Sequence, residues 1–267
     1  MSPSFAGSLW GWLLWSIVPA ITLGISILFI AVVSLAISQN TLPPKTRRRG
    51  TPVHIMIVLG SGGHTAEMFF MMARSNFLPK NNTYRTYVVS SGDHFSADKA
   101  KEFETKQANR GEAPSYTIVT VPRARRVHQS YLTAPFSTLH CLWVCLAVLQ
   151  GCYPKYSIPE QFTTYPDIIL TNGPAIAVCM VVAAKLIRFV LFFINWGLWL
   201  RGRSPLYTVS KLRTVFVESW ARVNTLSMTG VLLLPIVDRF LVQWPALAGR
   251  RAWWRMKKTL YAGWLVR

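Results

Sequence analysis

Residues 53–65 read Val-His-Ile-Met-Ile-Val-Leu-Gly-Ser-Gly-Gly-His-Thr and decide the predicted fold. Residues 53–59 are a short run rich in β-forming residues, residues 60–65 form a glycine-rich turn, and residues 66–74 read as a helix. A strand that leads through a glycine turn into a helix is how a doubly wound α/β sheet begins. The stretch therefore predicts an α/β domain with a Rossmann-like parallel sheet.

Strands and helices continue to alternate along the chain. Further strands are predicted at 84–90, 115–121, 167–171, 214–218 and 238–244, and helices at 96–109, 131–151 and 175–188. This alternation favours parallel strands joined by right-handed crossovers. The predicted organisation is a membrane anchor (1–38), a basic linker (39–52), a Rossmann-like domain (53–252) and a C-terminal tail (253–267).

The N-terminal segment is predicted to be one transmembrane helix. Residues 9–37 carry no charge, and a bilayer is crossed by about 20 apolar residues. Pro19 leaves 20–37 as the best continuous span. The alternative, a cleaved signal peptide, would begin with basic residues and have a shorter apolar run. Lys45 and the arginines at 47–49 follow the segment, so the positive-inside rule places the rest of the chain in the cytosol.

A second apolar stretch, 175–200, is interrupted only by Lys185, Arg188 and Asn195. Two cations near the centre of a membrane span are costly, so a helix buried on a face of the sheet is the preferred interpretation. A second span and a helix lying in the bilayer surface are the alternatives.

The net charge of +19 comes from 29 basic and 10 acidic residues and indicates anionic partners. In a chain tethered to a membrane, acidic lipid headgroups and phosphorylated substrates are favoured over nucleic acid. Of the four cysteines, Cys141 and Cys145 lie one helical turn apart beside His140, which admits a zinc site. No second pair with ligand spacing follows, so buried free thiols are preferred and no metal is expected.

The glycine turn is the first candidate ligand site. Gly60, Ser61, Gly62, Gly63 and Thr65 precede a helix whose free amides and positive dipole end could hold a phosphate or diphosphate. The turn is neither a Walker A motif nor the strict dinucleotide fingerprint. The alternative is a plain tight turn without a ligand.

Two residues are candidate catalytic groups. His64, at the start of the helix, could act as a general base on a sugar hydroxyl because an imidazole titrates near cytosolic pH; it could also be a capping or turn residue. Glu218 follows the strand at 214–218 and is one of only ten acids in the chain. Its alternative is a structural carboxylate paired with an arginine.

Two further loops should lie at the same edge of the sheet. Ligands of open α/β sheets bind at the carboxyl ends of the strands. Arg123 and Arg125, in the basic loop 123–129, could hold phosphates there, or the loop could be solvated or face lipid. Asn172 and Gly173 follow the strand at 167–171 and would pack beside the first glycine turn.

Six ordered motifs carry a family resemblance. They are GSGGHTAEM (60–68), PRARRVHQSY (122–131), TNGP (171–174), VESWAR (217–222), LSMTG (226–230) and DRFLVQWP (238–245). Over about residues 53–267 the chain resembles the membrane-anchor subunit of the two-chain N-acetylglucosaminyldiphosphodolichol N-acetylglucosaminyltransferase.

The resemblance implies the acceptor half of a GT-B glycosyltransferase. A separate cytosolic catalytic subunit would bind the donor substrate UDP-GlcNAc, and this chain would supply the lipid-diphosphate acceptor side and be inactive alone. The pair would add the second GlcNAc to GlcNAc-diphosphodolichol in N-glycan precursor synthesis, with no cofactor and no nucleic acid. The alternative is a pure membrane scaffold for the donor subunit, without catalytic residues.

The resemblance also implies a location and a partner surface. The chain would be a single-pass protein of the endoplasmic reticulum membrane with its C-terminal domain on the cytosolic face. The preceding and following transferases of the dolichol pathway are further candidate partners. The C-terminal tail carries apolar residues whose exposure would be costly, which is typical of an interface, and the family engages its donor subunit through the C-terminus. The residues are Trp253, Trp254, Trp264, Leu265 and Val266.

The predicted topology has a direct test at Asn81. Asn81-Asn82-Thr83 is formally an N-glycosylation sequon. On the cytosolic face Asn81 stays unmodified, so N-glycanase treatment of the full-length chain should leave its gel mobility unchanged. A mobility shift, in a sample where a luminal glycoprotein serves as the positive control, would contradict the cytosolic placement.

Overall fold

The computed structural model describes residues 19, 51–74, 83–109, 115–125, 129–130, 132–154, 156–173, 175–204, 211–253 and 256–265. The predicted anchor (1–38) therefore lies outside the described residues except for Pro19, and so does the linker (39–52) except for its last two residues. The anchor stays a prediction.

The described residues form seven β-strands and five α-helices. The strands are β1 (Val53–Val58), β2 (Thr83–Ser90), β3 (Tyr116–Val121), β4 (Ile168–Thr171), β5 (Arg213–Val217), β6 (Arg239–Val242) and β7 (Leu260–Tyr261). The helices are α1 (Gly63–Arg74), α2 (His94–Ala108), α3 (Ala134–Leu149), α4 (Ile176–Leu200) and α5 (Met228–Leu233), with a 3-10 turn at Pro245–Leu247. All six predicted strands are confirmed, with ends that differ from the prediction by at most two residues.

The strands form one sheet in the order β3-β2-β1-β4-β5-β6-β7, and every neighbouring pair is parallel. The chain runs outward from β1 to β3 and then crosses back to place β4 on the other side of β1. The predicted Rossmann-like parallel sheet is therefore confirmed. Strand order reverses between β1 and β4, and at such a switch point the loops at the carboxyl ends of the strands separate and leave a crevice.

The seventh strand was not predicted. Leu260 and Tyr261 pair in parallel with Leu241 and Val242 of β6. The sheet therefore continues past residue 252, and part of the segment predicted as a separate tail belongs to the domain. Two residues are too few to show the alternating pattern of a strand in the sequence. The pairing with β6 is visible only in the structure.

Helices cover both faces of the sheet, which explains why β1 is apolar except for His54. All six of its residues are buried. Ile55 and Ile57 share a core with Met68 of α1, and Met56 and Val58 share another with residues of α3 and α4. Successive side chains of a strand point to opposite faces of the sheet, so a strand covered on both sides exposes neither face to solvent.

Helix α4 divides into a buried half and an exposed half. Of the described helices, it alone is long and apolar enough to cross a bilayer, and 61% of its most apolar window is buried inside the protein. Its first half packs on the sheet, as predicted. The helix does not end at Arg188, however, but continues to Leu200 as an apolar segment that the domain leaves exposed.

The two cations of α4 are buried in an ion cluster. Lys185 Nζ lies 2.6 Å from Asp238 Oδ1, and Arg188 lies 2.7 Å from Asp238 Oδ2. The same carboxylate accepts a hydrogen bond from the backbone amide of Thr214 at 2.9 Å. Burial acts to raise the pKa of Asp238, but the two cations outweigh it and hold that pKa below its usual range. The cluster joins α4 to the ends of β5 and β6.

Helices α3 and α4 pack against each other and leave a large apolar area uncovered by the described residues. We call it the α3–α4 apolar surface. It consists of Phe136, Leu139 and Trp143 from α3 and Phe189, Val190, Phe192, Phe193, Ile194, Trp196, Trp199 and Leu200 from α4. Monomeric soluble proteins rarely expose a contiguous apolar patch of more than a few hundred Å².

Three of the four cysteines meet the prediction of buried free thiols. Cys141, Cys145 and Cys179 are buried, whereas Cys152 is exposed after the end of α3, contrary to that prediction. Within the described ranges, no three His, Cys, Asp or Glu side chains are grouped as metal ligands would be.

Replacement of Asp238 tests the buried cluster. Asp238→Asn should lower the free energy of unfolding by about 3–5 kcal/mol, because it leaves two cations buried without their counter-charge. Thermal unfolding of the full-length chain in detergent measures the effect. Because the pKa of Asp238 is depressed, its contribution is complete above about pH 4 and is lost as pH falls through the folded-state pKa.

The matched control is Asp98→Asn. Asp98 pairs with Lys101 on the surface of α2, with both side chains more than half exposed. Exposed pairs contribute at most about 1 kcal/mol. Equal losses of stability in the two variants would contradict the structural role of the cluster.

Candidate functional site at the switch point

Two glycine loops meet at the switch point. Gly60 follows β1, and Asn172 and Gly173 follow β4. A Cβ atom at Gly60 would lie 2.8 Å from the Cβ of His64 and 3.1 Å from the carbonyl oxygen of Asn172. Gly173 has a φ of +96°, and a Cβ there would lie 3.1 Å from the Cα of Gly60. Only glycine permits this backbone contact, as the sequence predicted for the two loops.

The outer part of the first loop is accessible. Ser61, Gly62 and Gly63 are exposed, and α1 begins at Gly63. Gly62 has a φ of +62°, the left-handed conformation that turns the chain into the helix. The first amides of a helix lack intrahelical acceptors and carry its positive dipole end. These backbone groups can therefore receive a phosphate or diphosphate.

Thr65 does not belong to the accessible part of the loop. Its side chain is fully buried, and its hydroxyl is hydrogen-bonded to the carbonyl oxygen of Gly60 and to Ser96 Oγ. The hydroxyl therefore fastens the loop to the start of α2 and cannot reach a ligand. The predicted diphosphate-binding role of its side chain is not supported by this geometry.

His64 lies between the two glycine loops with its side chain 36% exposed. Its Nδ1 atom is buried and faces Glu67 Oε2 at 3.7 Å, an ion-pair distance that is longer than a hydrogen bond. The interaction with this carboxylate is the largest influence on His64 and raises its pKa, although burial acts in the opposite direction. An accessible imidazole with a raised pKa can accept a proton from a ligand hydroxyl.

Glu67 is a site residue that sequence reasoning missed. Its Oε2 atom accepts a hydrogen bond from Asn172 Nδ2 at 3.0 Å, and its Oε1 atom accepts one from Ser219 Oγ at 2.9 Å. The carboxylate thus joins the loops after β1, β4 and β5. The spacing of His64 and Glu67, three residues apart at a helix start, could have revealed the pair, because such residues share one face of a helix.

Asn172 is buried rather than open to a ligand. Its side chain is fully buried and donates to Glu67, while its Oδ1 atom has no hydrogen-bond partner among the described residues. Gly173 is buried as well. The structure brings both residues to the glycine turn, as predicted. Both are buried, however, so they support the loop and are not exposed to a ligand.

Glu218 is also buried, with 1% of its surface exposed. Its two carboxylate oxygens accept hydrogen bonds from the backbone amides of Ser219 and Ser227, each at 3.1 Å. These bonds hold the loop that leads to α5. Its burial does not support the predicted catalytic role, and no arginine among the described residues pairs with it, so the alternative is not supported either.

The basic loop after β3 lies at the same edge but not beside His64. Arg123 donates a hydrogen bond from Nε to the carbonyl oxygen of Ser91 at 2.9 Å, and the exposed Arg125 donates to the carbonyl oxygen of Gln129 at 3.1 Å. Strand β3 is two strands from β1, about 10 Å at the usual strand spacing. A ligand with two separated anionic groups could reach both loops.

The described part of the C-terminal segment lies near the loop that carries Glu218. Leu265 donates its backbone amide to Gln243 Oε1 at 3.2 Å, and Gln243 Nε2 donates to the carbonyl oxygen of Glu218 at 3.1 Å. Trp253 and Trp264 are 52% and 41% exposed. The predicted partner-binding residues Trp254 and Val266 lie outside the described residues.

The fold and the site together define a class of protein. A parallel Rossmann-like sheet carries an open helix N-terminus and a half-exposed histidine at its switch point. Such an arrangement suits a ligand that contains phosphate and a hydroxyl group.

Comparison with known proteins identifies the family. The family described as "Oligosaccharide biosynthesis protein Alg14 like" matches residues 55–265. A similar relative, "UDP-N-acetylglucosamine transferase subunit alg14" of Aspergillus fumigatus, is 52% identical over 227 residues, which cover 74% of this chain and all of that protein. The human protein of the same description is 34% identical over 79% of this chain and 82% of its own length. The chain belongs to the Alg14-like family.

Among solved structures, the crystal structure of Acinetobacter baumannii MurG is similar to this chain. The TM-score is 0.44 and the sequence identity 12%, over 79% of this chain and 45% of that one. A similarity this low carries no argument about function.

Gly60→Ala tests the contact between the glycine loops. The added methyl group would collide with His64 and with the loop after β4. Overpacking of this kind typically costs about 1–3 kcal/mol, so the thermal midpoint of the full-length chain should fall. Gly63→Ala is the control: nothing lies within 4 Å of its Cβ position, and its φ lies outside the left-handed region. A loss of stability at Gly63 equal to that at Gly60 would contradict the proposed contact.

Proposed function

We propose that this chain is the subunit of a two-chain UDP-GlcNAc transferase that completes the site for the acceptor. The pair adds the second GlcNAc to GlcNAc-diphosphodolichol in N-glycan precursor synthesis. Membership of the Alg14-like family and relatives described as UDP-N-acetylglucosamine transferase subunits support this proposal. The single observation that carries it is the half-exposed His64 beside the open N-terminus of α1.

The geometry suggests how the acceptor is used. The backbone amides of Ser61, Gly62 and Gly63 hold the diphosphate, and Arg123 and Arg125 supply further positive charge at the same edge. A hydroxyl group of the acceptor sugar attacks the anomeric carbon of the donor sugar, UDP leaves, and His64 takes the hydroxyl proton. The scheme needs neither a cofactor nor a metal.

A separate cytosolic subunit binds UDP-GlcNAc in this proposal. The relatives are described as subunits, which implies a partner chain. The exposed Trp253 and Trp264 are suitable anchors for that partner, since buried aromatic side chains dominate the energetics of many interfaces. Trp264 contacts Trp244, and Trp244 contacts Trp220, so the aromatic surface extends to the loop after β5.

The proposed location is the endoplasmic reticulum membrane, with one N-terminal span and the domain on the cytosolic face. The α3–α4 apolar surface supports a membrane-bound state, because acyl chains can cover it without a further protein. Trp196 and Trp199 lie toward its end, and the exposed Arg201 and Arg203 follow directly. Tryptophan and arginine are suited to the boundary between acyl chains and anionic headgroups.

A pure scaffold is the second candidate function. The observation that favours it is the structural use of the buried Thr65, Asn172 and Glu218, whose polar groups bond within the protein. In a scaffold, the chain would recruit the donor-binding subunit and His64 would take no part in the reaction.

Reconstitution tests the proposed function. The chain and its donor-binding subunit are expressed together and separately, and membranes are assayed for GlcNAc transfer to a lipid-diphosphate acceptor. Only the pair should be active. Transfer by this chain alone would contradict the division of labour, and an inactive but intact pair would contradict the proposed reaction.

His64→Ala separates the enzyme from the scaffold. A general base typically contributes about 10²–10⁴-fold in rate, so the variant pair should lose about that much kcat while the subunits stay associated. His140→Ala, at an exposed position on α3, is the control and should keep full activity. Full activity of the His64 variant would establish the scaffold.

A further inference from the structure

We propose that Glu67 is a positioning residue for His64: it fixes the imidazole ring through Nδ1 and stabilises the imidazolium that forms when His64 takes a proton. The inference rests on the proposed role of His64 in sugar transfer. It adds a residue that lies outside the glycine turn.

The position of Glu67 is fixed from two sides. Asn172 and Ser219 each donate a hydrogen bond to a different oxygen of its carboxylate. These donors come from the loops after β4 and β5, whereas Glu67 and His64 lie on α1. The carboxylate side chain is 15% exposed and cannot rotate without breaking one of the bonds. It therefore presents a fixed negative charge to the imidazole.

Two buried polar atoms, one of His64 and one of Asn172, lack a hydrogen-bond partner in the described part of the chain. His64 Nδ1 and Asn172 Oδ1 are buried side-chain atoms without a hydrogen-bond partner among the described residues. A buried polar group that stays unpaired costs about 1–3 kcal/mol, so a protonated Nδ1 gains by closing on the acceptors beside it. Hydrogen bonds in catalytic sites often tighten only when the substrate is bound. A small rotation of His64 would bring Nδ1 from 3.7 Å to hydrogen-bond distance of Glu67 Oε2.

The groups around His64 stabilise the imidazolium that forms when the ring takes a proton. Glu67 from α1, the Asn172 side chain from the loop after β4 and Glu218 from the loop after β5 all act to raise the pKa of His64, and burial alone acts against them. For Glu67, burial acts to raise its pKa, but the nearby His64 and the hydrogen bonds from Asn172 and Ser219 outweigh it and hold that pKa below its usual range.

The proton transfer is balanced without further reactants. The acceptor hydroxyl loses its proton to the accessible nitrogen of His64 as its oxygen bonds to the anomeric carbon, and the bond to UDP breaks. His64 then carries a positive charge that Glu67 faces. Glu67 takes no proton itself; it holds the ring in the tautomer with hydrogen on Nδ1, as carboxylates do in other carboxylate–imidazole pairs.

The variant Glu67→Gln tests this role in the co-expressed pair. Glutamine keeps the size of the side chain and removes its charge. The rate of transfer should fall by roughly 10- to 1,000-fold, mainly in kcat, since a general base contributes about 10²–10⁴-fold when correctly placed. The acidic limb of the pH–rate profile should move to lower pH, because the carboxylate that raises the pKa of His64 is gone. A residue that only supports the fold would lower the rate without moving this limb.

Glu102→Gln is the matched control. Glu102 is an exposed glutamate on α2 that pairs with Lys99 and Lys106. Its replacement should change neither the rate nor the pH profile. Glu67→Asp, which restores the charge on a shorter side chain, should bring the acidic limb back toward that of the unchanged chain.

A second measurement keeps the inference separate from the proposed function. Diethyl pyrocarbonate reacts with neutral imidazole, so the pH dependence of His64 modification in the full-length chain, followed by mass spectrometry, reports the His64 pKa without any sugar transfer. The midpoint should move to lower pH in Glu67→Gln and stay in place in Glu102→Gln. An unchanged midpoint overturns the inference even if the pair is active. A shifted midpoint in a pair that transfers no sugar would support the ion pair and reject the proposed reaction instead.

Discussion

The close contact between two backbone turns at the switch point is the constraint on which the site depends. Gly60 leaves no room for a side chain because His64 and the loop after β4 occupy the space around it. The contact is possible because β4 lies beside β1 in the sheet. It places His64 at the junction of the two loops, and it brings Asn172 within hydrogen-bond distance of Glu67.

Further hydrogen bonds connect this arrangement to the C-terminal segment. Glu67 accepts from Ser219, whose neighbour Glu218 holds the loop to α5 through its carboxylate. The carbonyl oxygen of Glu218 accepts from Gln243, and Gln243 accepts from the amide of Leu265. The segment predicted to bind the partner is therefore connected to the predicted catalytic residue through the loop after β5.

The sequence predicts most of the fold because strand and helix periods are local properties, while the site depends on contacts that are not local. The six longer strands follow from runs of β-branched, aromatic and other apolar residues bounded by turn residues. The length of α4 could not be predicted. The apolar sequence pattern is the same whether the helix packs on a sheet or is covered by another apolar medium, so it does not show where the buried half ends. Nothing local distinguishes Glu218, whose oxygens hold backbone amides, from Glu67, which faces His64 from an otherwise ordinary helical position.

The most direct test of the account is to map where the acceptor binds. A photoreactive analogue of the lipid-diphosphate acceptor is cross-linked to the assembled pair of subunits, and labelled peptides are identified by mass spectrometry. We expect labelling of the peptide that contains Ser61 to His64, and its loss when unlabelled acceptor is added in excess. Labelling confined to the partner subunit, or to α4 alone, would show that the switch point of this domain does not hold the acceptor and would contradict the central claim.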